Sequence, residues 1–251
     1  MILLSYDVEA TGLDKQKDRI IEMGLVLYST GQQKILESAG FLVQSDGAPI
    51  SEEITGITGI TQAAVDRFGH DPVDALEDFS WFVEQADAII AHNGTRFDKP
   101  MTENAFARKL SAIPEKVAEK LWVDTMVDIP GVKGEQLITM CAKAGILLSG
   151  AHSALIDATG TLGMAQYHAQ APEKSFEKII ERAQSPVVLV QSHQERFKND
   201  EVKKFKFRWN PTLKIWWKAV KEMDLEELKQ APFDWSRLDK AITLEQLDTQ
   251  D

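Results

Sequence analysis

Three consecutive strand-like segments, followed by an alternation of helix-like and strand-like ones, leave this chain few folds to adopt. ILLSYDVEA (2–10) is a mostly apolar run ending in acidic residues and reads as a buried strand. RIIEMGLVLYST and QQKILESAGFLV read as two more strands joined around Ser29-Thr30-Gly31, a hairpin. ISEEITGITGIT is expected to be a loop with a short helical turn, and ITQAAVDRFG a helix. In VDALEDFSWFVEQA, Ala75, Phe79, Phe82 and Val83 fall on one helical face. ADAIIAHN and LWVDTM are short strands, with helical KPMTENAFARKL between them. GEQLITMCAKAGI is a helix stopped at Gly145, and SALIDATGTLGMAQYHAQA is a helix ended by Pro172. The expected class is therefore α/β, a mixed sheet with helices on its faces.

From Ser185 the texture changes. PVVLVQ precedes a basic stretch, and FRWNPTLKIWWKAV reads as a hairpin around Asn210-Pro211-Thr212. DLEELKQA is expected to be an amphipathic helix and LEQLDTQD to fray. The expected division is a domain over 1–172, a connecting helix or linker over 173–184, and a small basic-aromatic α+β module over 185–251.

A chain of 251 residues, 43% hydrophobic and 27% charged, can bury a core without staples. This balance excludes wholesale disorder, collagen and a coiled-coil rod. No apolar run approaches the roughly 20 residues of a membrane span, and the opening segment, with an acid at position 7, reads as a strand and not a signal peptide. One cysteine, Cys141, excludes an intramolecular disulfide or a cysteine zinc cluster, and a cytoplasmic setting is expected. Residues 1–170 hold 13 basic and 24 acidic side chains, whereas 171–251 hold 15 of each. Within the balanced part, 196–221 gathers nine Lys and Arg against Asp200 and Glu201. An acidic body with a basic patch suits a nucleic-acid enzyme whose site is built of carboxylates, among other possibilities.

Three short segments carry chemistry. Asp7 and Glu9 are two apart in a strand and share a face, either as a cation site or as two solvated acids. Asp98 closes His92-Asn93-Gly94-Thr95-Arg96-Phe97-Asp98, just beyond the C-terminal edge of a strand, where open α/β sheets bind ligands. It also precedes Lys99-Pro100 and could cap the next helix. His152-Ser153-Ala154-Leu155-Ile156-Asp157 brings an imidazole and a carboxylate to one helix start, an arrangement common without function.

In this order, the segments resemble the DEDDh group of 3′→5′ exonucleases over roughly residues 1–170. Asp7-Val8-Glu9 with Thr11-Gly12 resembles the family's first motif, Asn93 through Asp98 its second, and His152 through Asp157 its third. Thr58-Gly59-Ile60-Thr61 resembles its TGIT segment in preference to the overlapping Thr55-Gly56-Ile57-Thr58, and Val123-Asp124-Thr125 its later strand. The resemblance implies a ribonuclease H-like fold and two Mg²⁺ or Mn²⁺ ions held by Asp7, Glu9, Asp98 and Asp157. Asp7 would bridge the ions, and His152 would be the general base. It implies substrate contacts from Ala10, Thr11, Gly12, Leu13, Thr58, Ile60, Asn93 and Phe97. Many relatives carry Thr or Ser where Ala10 stands, which leaves only the backbone for that contact.

RWNPTLKIWWK resembles the small C-terminal module of exodeoxyribonuclease X-like proteins. In an extended strand, Phe205, Phe207 and Trp209 would share one face, and Lys204, Lys206 and Arg208 the other. Phe197, Trp216 and Trp217 add to the aromatic set. This reads either as stacking platforms and cations for nucleic acid or as a small aromatic core with solvated lysines. The expected function is release of nucleoside 5′-monophosphates from DNA 3′ ends, single-stranded or frayed, with no membrane partner. RNA as the substrate, a polymerase-associated proofreading subunit, and a binding module with a decayed site are the alternatives.

Overall fold

β1 (Ile2–Ala10) is buried on both faces and so must lie inside a sheet. The structure is a computed structural model and describes all residues except 131, 133, 134, 151, 172, 173, 196–199, 240, 241, 243–246 and 248–251. β2 (Ile20–Ser29) and β3 (Lys34–Leu42) continue the antiparallel hairpin expected from the sequence. The segment read as a loop with a short helical turn holds a seven-residue helix, α1 (Glu52–Thr58), capped by the Ser51 hydroxyl. α2 (Gln62–Phe68) and α3 (Pro72–Gln85) follow, then β4 (Ala88–Ala91). α4 (Asp98–Lys109) and α5 (Glu115–Ala118) lead to β5 (Leu121–Asp124). α6 (Thr125–Asp128), α7 (Leu137–Lys143) and α8 (Ala154–His168) complete the alternation.

The sheet order is β3-β2-β1-β4-β5, with β4 parallel to β1 and β5 parallel to β4. Strand alternation then decides the layers. Leu4, Tyr6 and Val8 face a core built with Phe79 and Val83 of α3 and Met101 and Phe106 of α4. Leu3 faces the opposite layer with Cys141, Met164 and Ala165. On that side the Ser5 hydroxyl donates to Ala158 O of α8 at 2.7 Å. Continuing the alternation, Asp7 and Glu9 fall on the α8 side. Each fully buried side chain such as Phe79 stabilises this arrangement by about 1.5–3 kcal/mol.

The chain divides into two units, 1–183 and 184–251. α9 (Phe176–Gln184), expected as a connector, buries Ile179 in the Leu3 layer of the first unit. The second unit has β6 (Val187–Ser192), α10 (Asp200–Lys204), β7 (Arg208–Asn210) and β8 (Ile215–Lys221). A 3₁₀ turn (Glu222–Asp224), α11 (Leu225–Leu228) and β9 (Trp235–Arg237) follow, so the expected amphipathic helix is one short turn of each type. Its sheet is antiparallel, in the order β7-β8-β6-β9. Consecutive residues of β8 point to opposite sides. Trp216 packs with Val190, Phe207 and Phe233, and Trp217 with Leu238 and Leu247.

One expectation for this unit is corrected. Residues 204–209 do not form one strand: Lys204 ends α10, Lys206 has φ 60°, and only Arg208 and Trp209 lie in β7. Lys204, Lys206 and Arg208 therefore do not share a strand face. Of the two readings of the aromatic set, Phe207, Trp216 and Trp217 follow the small core: all three are buried. Phe197 and most of LEQLDTQD lie outside the described residues.

Candidate active site

The acidic groups meet at the end of β1 because two helices, α4 and α8, begin where that strand finishes. Asp7 and Glu9 come from β1 itself and are partly exposed. Asp98 opens α4, the helix after β4, and is 2% exposed. It does not cap its own helix, whose N-cap residue Phe97 makes no side-chain bond. Instead Asp98 Oδ1 accepts the Val8 N–H at 3.0 Å, which places it between Asp7 and Glu9. Asp157 lies in the first turn of α8 and accepts the backbone N–H of His152 at 3.1 Å. His152 is exposed at φ 70°. Ligand atoms of Glu9, His152 and Asp157 lie within 4.8 Å of one another.

The electrostatics of this cluster are unfavourable to its own charges. Burial, and then the carboxylates of Asp98, Asp157, Glu9 and Glu22, hold Asp7 well above the usual carboxylate range. Burial, followed by Asp157, Glu22 and Asp98, pushes Glu9 up to about 8. Burial pushes Asp98 up to about 7, opposed by hydrogen bonds from its own backbone N–H and that of Val8, with Asp124 adding a smaller push upward. Asp157 is raised by burial, against the pull of the His152 N–H and the imidazoles of His152 and His92. A set of oxygen donors that repel one another is the chemistry that a hard divalent cation stabilises, so the residues present fit such an ion.

The remaining sequence candidates divide. Ala10 and Thr11 are buried at the end of β1, and the Thr11 hydroxyl donates to Asp18 and accepts from Arg19 N–H. Gly12 is half-buried beside Asp18, whereas Leu13 is 78% exposed just past the acidic pair. Asn93 has φ 61°, and its N–H bonds Asp124. Phe97 is half-buried against the first core, with Lys15 Nζ 5.9 Å from its ring centroid. Thr58 uses its hydroxyl on Ile54 O and Ile60 N–H, and Ile60 is buried with Ile21 and Val65, so neither side chain presents a free group. Lys204, Lys206 and Arg208 belong to the second unit, where Arg208 lies 4.4 Å over the Trp217 ring.

Sequence reasoning missed three supports. Asp124, at the end of β5, accepts N–H bonds from Asn93 and Thr95 at 3.1 Å each and the Thr95 hydroxyl, which fixes the loop leading to Asp98. His92 joins Thr125 Oγ1 at 2.8 Å and Glu135 O at 3.0 Å on the same loop. Glu22 in β2 accepts from Ser153 and Ala154 at the start of α8. A lone Glu inside IIEMG carries no signal of a partner 131 residues away.

Comparison with known proteins follows this geometry. An exonuclease family model named for RNase T matches residues 4–164. The PolC-type DNA polymerase III of Listeria monocytogenes is 32% identical over 166 residues, which are 64% of this chain and 11% of that protein. The PolC-type enzyme of Bacillus subtilis is 30% identical over 158 residues, 62% of this chain and 10% of that protein. The chain thus spans about a tenth of the length of these curated relatives. Among solved structures, E. coli Exonuclease I in complex with a dT13 oligonucleotide aligns with TM-score 0.62 at 18% identity. That alignment covers 78% of this chain and 49% of the other. A zinc-bound form of the E. coli Exonuclease I complex with single-stranded DNA gives 0.63 at 20% identity, covering 76% and 47%. These likenesses at low identity show a shared ribonuclease H-like fold. No helix among the described residues is long and apolar enough to cross a membrane. With the family model spanning nearly the whole five-stranded unit and all of its acidic motifs, the chain belongs to the RNase T exonuclease family.

Proposed function

We propose that this chain is a divalent-metal-dependent 3′→5′ exonuclease that hydrolyses DNA from its 3′ end and releases nucleoside 5′-monophosphates. The observation that carries the reading is the meeting of Asp7, Glu9, Asp98, Asp157 and His152 at one end of β1. DNA is favoured as the substrate because the relatives are DNA polymerases and the structural neighbours hold DNA oligonucleotides.

Asp7, Glu9 and Asp157 would hold one ion, Mg²⁺ or Mn²⁺, and Asp7 with Asp98 a second. Such ions supply charge neutralisation at the phosphate and lower the pKa of attacking water. His152 stands exposed beside Glu9 and Asp157, where a neutral imidazole nitrogen takes a proton from the attacking water. The Asp157 carboxylate, bonded to the His152 N–H, fixes the loop that carries the ring. Leu13, exposed beside the acids, offers an apolar surface to the terminal base. The backbone of Ala10 to Gly12 is held by the Thr11–Asp18 and Thr11–Arg19 bonds and positions the terminal nucleotide. Residues 1–183 act as the catalytic domain, with Lys204, Lys206 and Arg208 of the second unit meeting substrate phosphates.

The test is digestion of 3′- and 5′-labelled DNA and RNA oligonucleotides, single- and double-stranded, with Mg²⁺ or with EDTA. Stepwise loss from the 3′ end of DNA, only with Mg²⁺, supports the reading. RNA as the preferred substrate would move it to exoribonucleolysis.

A further inference from the structure

His152 precedes α8 and Asp157 sits in its first turn, so the placement of that turn decides the site. The backbone donors at a helix start need partners from outside the helix. The N-cap residue Ser153 makes no side-chain bond to its own helix. Glu22, on β2, does this work from 132 residues away in sequence. Its Oε2 accepts the Ala154 N–H at 2.9 Å, and its Oε1 accepts the Ser153 hydroxyl at 3.2 Å. A carboxylate here also faces the positive end of the helix.

The surface beneath this turn is shaped for close approach. Gly24 lies two residues beyond Glu22 on the same face of β2. A Cβ there would stand 2.1 Å from Ala154 C and O, a contact that real side chains do not make. Across the ladder Gly24 pairs with Gly40 of β3, where a Cβ would stand 2.8 Å from Leu155 Cβ. The first turn of α8 therefore rests on bare backbone of β2 and β3. In the neighbouring ladder Glu22 is directly opposite Glu9. One residue thus touches the helix that carries Asp157 and stands in register with an acid of the site.

We propose that Glu22 is a positioning residue. It anchors the first turn of α8 on β2 and so sets the places of His152 and Asp157 relative to Glu9. The proposal rests on the reading of those three residues as catalytic. It is a role for hydrogen bonds rather than for charge. A glutamine at position 22 can accept the Ala154 N–H through its oxygen and donate to the Ser153 oxygen through its nitrogen.

The test uses the full chain and three variants, with a labelled single-stranded DNA oligonucleotide and Mg²⁺. Glu22→Ala should lower kcat roughly 10–100-fold with little change in KM, as loss of an orienting partner does. Glu22→Gln should stay within about threefold of wild type, because both bonds survive. Hydrogen exchange at the amides of Ala154 to Asp157 reads the anchoring without activity. Exchange should quicken in Glu22→Ala and not in Glu22→Gln. Wild-type kcat in Glu22→Ala, or equal damage in Glu22→Gln and Glu22→Ala, overturns the proposal. If Glu22→Ala fails to fold, Ser153→Ala removes one of the two bonds and should still lower kcat severalfold. Unchanged kcat and unchanged exchange in Ser153→Ala would then overturn the proposal. A wild-type chain that digests nothing defeats the catalytic reading alone, since the exchange comparison still scores the anchor.

Discussion

The Asp98 carboxylate accepts the backbone N–H of Val8 at 3.0 Å, so the residue between Asp7 and Glu9 is tied to the first turn of α4. The same carboxylate thus closes the fold and supplies charge to the site. These two roles separate by substitution. Asp98→Asn keeps an oxygen for Val8 and removes a charge from a crowded cluster. The metal-free variant should be at least as stable as wild type to chemical denaturant, yet at least about 10²-fold slower in hydrolysis. Asp98→Ala leaves a buried donor unpaired and should lose about 1–3 kcal/mol. Equal stability of the two variants would mean that the Val8 bond contributes nothing.

The raised carboxyls make stability depend on pH in a stated direction. Glu9 and Asp98 hold their protons up to about pH 8 and 7 in the folded chain, well above the ordinary values near 4. The folded state therefore binds more protons than the unfolded one through that window. Unfolding is then favoured as pH rises through it. Thermal melts in EDTA should show stability falling from about pH 5 to pH 8.5, and added Mg²⁺ should remove most of the slope. A metal-free melting temperature that rises over this range would contradict the clustering.

His152 lies within 4.8 Å of both Glu9 and Asp157 by its ligand atoms, close enough for either a base or a ligand. As a base, its replacement by Ala should lower kcat about 10²–10⁴-fold and leave Mg²⁺ dependence in place. A large rise in the Mg²⁺ concentration needed for half activity would instead make His152 a ligand.

In the second unit, packing and charge separate cleanly. Trp217 is 1% exposed beneath Arg208, so Trp217→Ala should unfold the module, at about 3–5 kcal/mol. Lys204→Glu with Lys206→Glu should leave it folded, weaken DNA binding and flatten the salt dependence by about one to two in slope. Unchanged affinity and slope in the folded double variant would remove these lysines from the DNA contact.

The longer strands and helices of the first unit were legible because each has enough residues for its period to show, whereas the four-residue α5 and α6 were not. Leu4, Tyr6 and Val8 alternate in β1, and Ala75, Phe79, Phe82 and Val83 recur in α3. The five motif residues were legible because β1, α4 and α8 each bring one short segment to a common edge. Their supports were not, since Glu22 and Asp124 act through backbone groups far away in sequence. Alternation misled at residues 204–209 because Lys206 takes a positive φ, which ends any extended run there. Trp216 and Trp217 were open to two readings, platforms or core, because only the four-stranded sheet shows that each covers one of its faces.

The central claim is that the acids at the end of β1 perform metal-dependent hydrolysis at a DNA 3′ end. Asp7 is surrounded by Asp98, Asp157 and Glu9, which makes it the residue whose loss should matter most. The most direct measurement compares wild type and Asp7→Ala on a 5′-labelled single-stranded DNA oligonucleotide with Mg²⁺, with a melting curve for each. Wild type should give a ladder shortening from the 3′ end, abolished by EDTA. Asp7→Ala should give less than about a tenth of that rate, with a metal-free melting temperature no lower than wild type. A folded Asp7→Ala variant that digests at the wild-type rate, or a wild-type ladder that persists in excess EDTA, would contradict the claim.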